Sequence, residues 1–287
     1  RWQPGTYIFT DLERLIGVER TAAFRLAGHF EQDPERFRIL NDPRKVLMRF
    51  DLLRLLYAKG VNTFNVHRVG TPMEEIRFPV FLKREYEHSI KGIELLHNED
   101  ELSRALRRLS LKDRLRNKQL LITEYCNVSD ESGNFRKYSA MRIGGRAIPR
   151  HILFSDQWLT KFPDKIDQAR CQEEAAYVAS AEAHPGIDEA FDIGCIDYGR
   201  VDYGLLDNQV QVWEINTNPR IVPPPDLIEP MRLDSQRDSA NQINAAVADL
   251  CKPLNGESLR IDPAGLGLWR DPLRVAVYRF YAKRLRK

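Results

Sequence analysis

Three oxygen-bearing side chains near the end of a predicted β-hairpin have the types and spacing of a metal site. The segments 195–206 and 209–216 read as adjacent strands joined by a tight turn. Side chains two apart in a strand point to the same face, so Glu214 and Asn216 project together, with Asp202 beside them. Two carboxylates and an amide oxygen form an all-oxygen ligand set that suits Mg²⁺, with Mn²⁺ as an alternative. Because Mg²⁺ keeps coordination positions open for phosphate oxygens, the pattern predicts nucleotide chemistry.

A purely structural role is the alternative for these residues. Acidic residues at the end of a hairpin are usually solvated, and Asn218-Pro219 is an ordinary way to start a turn. Glu214, however, lies between Trp213 and Ile215 in a strand that reads as buried on both faces. A buried glutamate nearly always has a partner, so the pattern favours a metal site.

Two motifs in this region carry a family resemblance: Gly199-Arg200-Val201-Asp202 and Glu214-Ile215-Asn216-Thr217-Asn218-Pro219. In this order they resemble the ATP-grasp superfamily, in particular its D-alanine–D-alanine ligase-like and peptide-ligase branches. The resemblance extends over about residues 41–219. It implies a mixed α/β and α+β fold in which two α+β lobes clasp ATP, preceded by a short α/β pre-ATP-grasp lobe. It also implies that Mg²⁺ lies between the ATP phosphates and the acidic side chains.

A lysine and an arginine upstream are candidates to bind phosphate. The apolar strand predicted at residues 78–83 ends in Lys83, where the superfamily places a phosphate-contacting lysine. Arg49 falls where relatives carry a second such lysine, in a helix predicted from about Asp42 to Lys59, with Asp42 as its N-cap. Arginine keeps the charge and adds a bidentate fork. The alternatives are a lysine that ends a strand at the surface and a solvated helix arginine.

The segment after Lys83 resembles the flap that covers the phosphates in the family. Backbone N–H groups of glycine-rich segments bind anions. Here only Gly92 is present where relatives often have several glycines and serines. His88 and Ser89 are therefore expected to supply side-chain contacts to the nucleotide.

The strand at residues 120–126 resembles the linker that pairs with adenine. The resemblance implies that backbone groups of Glu124 and Cys126 contact the adenine edge and that Tyr125 packs nearby. A plain apolar strand that ends in a loop is the alternative. The order of lysine strand, helix, linker strand and acidic hairpin favours the nucleotide interpretation.

Two further arginines are candidates for catalysis. The Gly144-Gly145 pair between two strand-like runs predicts a hairpin, and Arg142 on it matches a family arginine that meets the γ-phosphate or an acyl phosphate. Arg200 lies two residues before Asp202, and a cation there would stabilise developing phosphoryl charge. A basic exposed sheet edge is the alternative. A loop-rich stretch that could hold the acceptor follows, with Arg150, His151, Trp158 and Lys161.

These residues together predict an ATP- and Mg²⁺-dependent ligase that joins a small-molecule carboxylate to an amine or similar nucleophile through an acyl phosphate. Two alternatives stay open: a kinase that phosphorylates a sugar or polyol hydroxyl, and a non-catalytic nucleotide-binding module. Dimers are frequent among relatives, so a homodimer is compatible with the resemblance.

Composition sets the limits of this interpretation. The 287 residues, 43% hydrophobic and 30% charged, suffice for a globular enzyme of several lobes, and a net charge of +3 gives no reason to expect a nucleic-acid partner. The four cysteines lack CxxC spacing and read as reduced thiols. Without an 18-residue apolar run or a signal peptide, we expect a cytoplasmic protein with no membrane span. The chain opens at Arg1-Trp2, which leaves room for an upstream segment.

Hydrophobic periodicity gives the expected organisation of the chain. It predicts strands at residues 6–9, 37–40 and 63–66, and helices at 11–29, 99–110, 165–183 and 234–250. Residues 271–287 form a basic amphipathic helix, for which docking on the core is favoured over membrane-surface or nucleic-acid binding. The expected divisions are a pre-ATP-grasp lobe at 1–70, a small lobe at 71–126, a large lobe at 127–250 and an extension at 251–287.

Overall fold

The computed structural model describes residues 1–15, 17–86, 92–109, 119–161, 163–221, 228–251, 254–262 and 265–267. The chain divides into two compact units, one of residues 1–46 and 248–287 and one of residues 47–247. The expected boundaries after residues 70 and 126 both fall within the second unit, and that finer division stays a prediction. The basic helix expected at residues 271–287 lies outside the described residues. Over the described ranges, every helix is too short or too polar to span a bilayer.

The first unit contains a parallel strand pair, β1 (Gly5–Ile8) and β2 (Phe37–Leu40), connected through helix α1 (Val18–Glu31). Rings from all three elements pack together, with Phe30 stacked 5.0 Å from Phe37. Both strands are confirmed, but the helix expected from residue 11 begins only at Val18. Gly17 has a φ of 49°, which no α-helical residue adopts, so the helix cannot extend N-terminally through this position.

The second unit opens with helix α2 (Arg49–Ala58) and strand β3 (Val66–Arg68). The prediction that Asp42 caps this helix was wrong. The Asp42 carboxylate accepts a hydrogen bond from the Arg44 N–H at 3.0 Å and pairs with the Arg44 guanidinium at 2.6 Å. These local bonds close a turn instead of starting a helix. The strand expected at residues 63–66 also begins later than predicted.

A small antiparallel sheet follows, with the order β3-β5-β4, where β4 is Val80–Arg84 and β5 is Leu120–Glu124. Helix α3 (Glu99–Arg108) starts at Asn98, whose side chain accepts the Glu101 N–H. Its Leu102 is fully buried against the sheet in a cluster with Val80 and Ile122. This packing fixes the strand that carries Lys83.

The large sheet has four antiparallel strands in the order β7-β6-β8-β9. They are β6 (Phe135–Ile143), β7 (Ala147–Ser155), β8 (Tyr198–Leu206) and β9 (Gln209–Asn216). Both predicted hairpins are confirmed. Asp207 and Asn208 take the φ values of 50° and 64° that a two-residue turn requires.

Three helices accompany the large sheet: α4 (Gln168–Ala179), α5 (Ile187–Ile193) and α6 (Leu233–Leu250). Helices near α4 and α6 were expected, whereas α5 was not. The loop between α2 and β3 is pinned to β9, because Asn62 exchanges two hydrogen bonds with the Val212 backbone at 2.8 and 2.9 Å. The described sheets and helices confirm the expected mixed α/β and α+β class.

Candidate functional site

A row of four polar side chains crosses the large sheet in one register. His151 on β7 pairs with Ser139 on β6, Ser139 pairs with Asp202 on β8, and Asp202 pairs with Glu214 on β9. Side chains of directly paired residues point to the same face of a sheet. Neighbouring strands lie about 4.8 Å apart, so Asp202 and Glu214 are adjacent and His151 lies about 10 Å from Asp202 along the row.

A β-bulge puts the two carboxylates on one face. The register near the hairpin turn, continued without interruption, would set Asp202 opposite Trp213 and turn Glu214 to the other face. The register instead shifts by one residue just after Asp202, and Trp213 is the extra residue of the bulge. Gly204 gives the bulged indole room, because a Cβ there would lie 2.8 Å from Trp213 Cζ2. The predicted proximity of the carboxylates is therefore confirmed, through a bulge that was not predicted.

Asp202 is almost fully buried and is surrounded by donors. Lys137 Nζ lies 2.9 Å from Oδ2, Arg200 Nε lies 2.9 Å from Oδ1, and the Ser139 hydroxyl donates to Oδ1 at 2.7 Å. Burial favours the neutral acid, but the charges of Lys137 and Arg200 outweigh it and hold the pKa of Asp202 well below its ordinary value. Asp202 is therefore an anion at neutral pH.

Glu214 has its own pair of cations. Arg49 Nη2 lies 2.7 Å from Oε2 and Lys83 Nζ lies 3.5 Å from the same oxygen. Burial opposes ionisation, yet Arg49 and Lys83 hold the pKa of Glu214 below its ordinary value. Burial lowers the pKa of Lys83, and Glu214 opposes that shift. Both residues predicted to bind phosphate thus reach the predicted metal site.

A buried glutamate holds these two cations in place. Glu85, directly after β4, accepts the Phe50 N–H at 3.0 Å and pairs with Arg68 at 2.7 Å. Phe50 lies in the first turn of α2, where N–H groups have no partner within the helix. Glu85 therefore joins the start of α2 to the end of β4 and sets Arg49 beside Lys83.

A buried donor at the site, Arg49 Nη1, has no partner among the described residues. An unsatisfied buried donor costs about 1–3 kcal/mol, and more where the group is charged. It lies next to the acidic pair, since the other terminal nitrogen of the same guanidinium binds Glu214. An anionic ligand with several oxygens would satisfy it.

Asn216 completes the predicted ligand set. It pairs with Arg200 in the ladder and lies two residues from Glu214, so the two side chains share a face. Its Oδ1 accepts the Asn218 N–H at 2.9 Å, which fixes the amide. Among the described residues no cluster of three or more histidines, cysteines and acids suits a metal ion. The two carboxylates with one amide oxygen nevertheless fit a hard cation that keeps positions for other oxygen ligands.

The side chain of Glu124, in the predicted adenine linker, is occupied structurally. Its carboxylate accepts the Arg77 guanidinium at 2.5 Å and the Asn65 N–H at 2.9 Å, and lies 3.1 Å from His67 Nε2. Burial opposes ionisation, but the bonds from His67 and Arg77 hold the pKa of Glu124 at about 2. The Glu124 N–H donates to Asn65 O. Glu124 therefore ties β5 to the loop before β3.

Aromatic rings gather beside this linker. Trp158, in the segment after β7, lies 5.5 Å from Tyr125 and 5.1 Å from Phe81 between ring centroids. Phe81 lies two residues before Lys83 on β4, so both side chains use the same face. Burial raises the pKa of Tyr125 and of Cys126, so both stay neutral at physiological pH. The predicted adenine end and phosphate end thus share one face of the small sheet.

Arg142 is not brought to the carboxylates. In the β6–β8 ladder Arg142 pairs with Gly199, the residue before Arg200. Its guanidinium lies on α5, 2.6 Å from Asp192 Oδ1 and 3.1 Å from the Asp188 carbonyl. Successive side chains in a strand face opposite sides, so Arg142 points away from Asp202. The predicted contacts of His88 and Ser89 lie outside the described residues.

Lys137 and Ser139 were not predicted as site residues. They are two apart on β6 and so share a face, and both reach Asp202. Strand alternation alone does not find them, because the register of β6 against β8 decides whether the odd- or the even-numbered residues face Asp202. His151 lies on the same row of the sheet. Its pKa is well below the ordinary value, chiefly because the ring is buried and secondly because the positive charges of Arg150 and Arg200 are close.

Searches among known proteins give structural neighbours only. No family model matches the chain, and no curated protein matches it. A D-alanine–D-alanine ligase from Bacillus anthracis complexed with ATP is 15% identical over 80% of this chain and 74% of the ligase, with a TM-score of 0.44. The D-alanine–D-alanine ligase from Coxiella burnetii is 17% identical over 93% of this chain and 70% of the ligase, with the same TM-score.

Proposed function

We propose that the protein is an ATP- and Mg²⁺-dependent ligase that joins a carboxylate to an amine or similar nucleophile. The observation that carries this proposal is the pairing of two carboxylates, the buried Asp202 and the partly buried Glu214, with cations on both of them. Four cations contact these two carboxylates: Arg49, Lys83, Lys137 and Arg200.

The charges of this cluster suit a nucleotide–metal complex. Four positive against two negative side chains leave two positive charges. Mg²⁺–ATP carries about two negative charges near neutral pH, so its binding would neutralise the cluster. A neutral polyatomic ligand would leave the cations uncompensated in a largely buried site.

Each residue has a role that its contacts support. Asp202, Glu214 and Asn216 would hold Mg²⁺, which when bound supplies a Lewis acid beside the phosphates. Lys83 and Arg49 would bind phosphate oxygens that are not transferred, with Arg49 Nη1 as the spare donor. Arg200 and Lys137 would face the transferred phosphoryl group and stabilise its charge.

The proposed reaction balances in two steps. A substrate carboxylate oxygen attacks the γ-phosphorus, and the bond from that phosphorus to the bridging β-phosphate oxygen breaks. ADP departs, and the substrate becomes an acyl phosphate. The nucleophile then attacks the acyl carbon, inorganic phosphate departs, and the nucleophile loses a proton. Positioning and charge stabilisation supply most of the acceleration in such phosphoryl transfers.

Titration of Mg²⁺–ADP by calorimetry tests the nucleotide site. We expect the wild-type protein to bind with micromolar affinity and the double variant Asp202→Asn/Glu214→Gln to lose binding. Asp156→Asn is the matched control, because Asp156 is an exposed carboxylate paired with Lys165 far along the chain from the acidic hairpin. Absence of binding by folded wild-type protein would overturn the proposal.

Release of ADP then separates a ligase from a kinase. A ligase needs a carboxylate and an amine together for sustained ADP release, whereas a kinase needs only a hydroxyl substrate such as a sugar or polyol. Turnover with a hydroxyl compound alone would replace the ligase proposal with the kinase.

A further inference from the structure

Ser139 contacts both the acidic pair and a helix of the large sheet: its side chain bonds Asp202, and its backbone carbonyl bonds Tyr177 of α4. The residue is completely buried on β6, an interior strand of the sheet. Its hydroxyl lies 2.7 Å from Asp202 Oδ1 and 3.0 Å from the carbonyl of Val201. One hydroxyl has one proton, and the shorter bond to an ionised oxygen is the stronger of the two. The Ser139 hydroxyl thus orients the Asp202 carboxylate.

The backbone at Ser139 is held from the other side. The pairing of β6 with β7 shifts register between Ser139 and Ala140, which disturbs the ladder there. The Tyr177 hydroxyl, from α4, donates to the Ser139 carbonyl at 3.0 Å. Tyr177 thereby satisfies the carbonyl next to the bulge and fixes the position of the serine.

Two further groups continue this chain of hydrogen bonds. The Tyr203 hydroxyl lies 2.9 Å from that of Tyr177, and His184 Nδ1 lies 2.8 Å from Tyr203. Because Tyr177 uses its only proton on the Ser139 carbonyl, Tyr203 must donate to Tyr177, and His184 must donate to Tyr203 through Nδ1. Every member has a defined role, so the chain favours one arrangement.

We propose that Ser139, supported by Tyr177 and Tyr203, is a positioning residue that holds Asp202 in the orientation needed to bind the divalent cation. The inference rests on the proposed nucleotide–metal site. It assigns to Ser139 a part in metal affinity, distinct from the phosphate contacts of the cations. Hydrogen-bond partners of metal ligands typically contribute about 10–100-fold to metal affinity.

The dissociation constant of Mn²⁺–ADP, measured by electron paramagnetic resonance, tests this inference without a substrate. We expect Ser139→Ala to weaken Mn²⁺–ADP binding by about 10–100-fold, while ADP binding in EDTA stays as in the wild type. Ser155→Ala is the matched control, since Ser155 is also buried in the large sheet and bonds an aspartate, Asp164, at 2.8 Å. It should lose a similar amount of thermal stability and keep Mn²⁺–ADP affinity.

A second pair of variants tests the support and covers the case in which Ser139→Ala does not fold. Tyr177→Phe should weaken Mn²⁺–ADP in the same direction but by less, because the Ser139 hydroxyl remains. Tyr138→Phe is its control: Tyr138 stacks on Tyr203 at 5.5 Å, and no hydrogen bond of its hydroxyl is seen within the described residues.

Three outcomes overturn the inference. Wild-type affinity for Mn²⁺–ADP in both Ser139→Ala and Tyr177→Phe would show that Asp202 needs no such support. An equal loss of ADP affinity in EDTA would place the effect on the nucleotide or the fold. Failure of the wild-type protein to bind Mn²⁺–ADP would remove the proposed function itself and so differs from the other two.

Discussion

Arg49 Nη2 lies 2.7 Å from Glu214 Oε2, although the two residues are 165 positions apart in the chain. One belongs to the first turn of α2 and the other to the bulged strand of the acidic hairpin. The contact leaves Arg49 Nη1 without a partner among the described residues, at the place where a phosphate oxygen would complete it.

Replacement of Arg49 by lysine should therefore weaken nucleotide binding even though the charge is kept. Lysine cannot supply two donors in a fixed fork. Loss of one charged hydrogen bond should cost about 1.5–3 kcal/mol, or about 10–100-fold in Mg²⁺–ADP affinity measured by calorimetry. Arg54→Lys, on the same helix but exposed, is the control. Equal affinities for the two variants would remove Arg49 from the phosphate site.

Lys137→Met should lower the stability of the ligand-free protein. Asp202 would keep Arg200 and Ser139 but lose one close cation from a buried carboxylate, which we expect to cost about 1–3 kcal/mol in the free energy of unfolding. Urea denaturation measures the change. Lys165→Met, which removes an exposed pair with Asp156, should leave stability unchanged. A stability loss of the same size in both variants would contradict the assigned role of Lys137.

Removal of nucleotide should sharply reduce metal binding. Without phosphates, the four cations around Asp202 and Glu214 repel a divalent ion, whereas bound ADP compensates them. Titration of Mn²⁺ followed by electron paramagnetic resonance should show weak binding alone and at least about 10-fold tighter binding with ADP, and by linkage Mn²⁺ should tighten ADP equally. Tight binding of Mn²⁺ to the ligand-free protein would mean that the cations do not control the site.

Glu124 should contribute to stability in a specific acid range. Its pKa is held at about 2, below the ordinary 4.5, by His67 and Arg77 against the effect of burial. The ionised carboxylate therefore stabilises the fold fully above about pH 4.5, and this contribution is lost as the pH falls through about 2. The difference in unfolding free energy between wild type and Glu124→Gln should shrink over that window. A difference independent of pH would show that the ionised form is not what matters.

Trp158 should report nucleotide binding. Its ring contacts Tyr125 and Phe81 at the predicted adenine end, so Mg²⁺–ADP should change its fluorescence. Trp158→Phe should abolish the change while Trp2→Phe retains it, because the Trp2 ring packs with Tyr7 and Phe30 in the first unit. A signal that survives in Trp158→Phe would place the adenine elsewhere.

The sequence was most informative where local rules decide the structure. Strand β9 and its turn at Asp207 and Asn208 were predicted because alternation and turn chemistry are short-range. Asp42-Pro43 also has the local pattern of a helix start. That prediction was wrong, because the Asp42 carboxylate pairs with the Arg44 guanidinium and does not cap a helix.

What the sequence could not supply depends on how strands line up. Lys137 and Ser139 belong to the site only through the register of β6 against β8. Arg142 has the residue type that the sequence resemblance predicted, yet its phase in the same strand turns it to α5. Residue type can be read from a motif, whereas phase depends on pairing between strands that are distant in the chain.

The bulge at Trp213 has a consequence for how this protein could change by insertion and deletion. Loss of that single codon would let the hairpin zip continuously from its turn, leaving Gly204 with spare room and the core pairing intact. Glu214 would still pair with Asp202 on the same face, because the lost residue is the extra one of the bulge. The strand could thus shorten by one residue in related chains while the acidic pair stays together, so the presence of Asp202 and Glu214 marks an intact site better than the number of residues between the hairpin turn and Glu214.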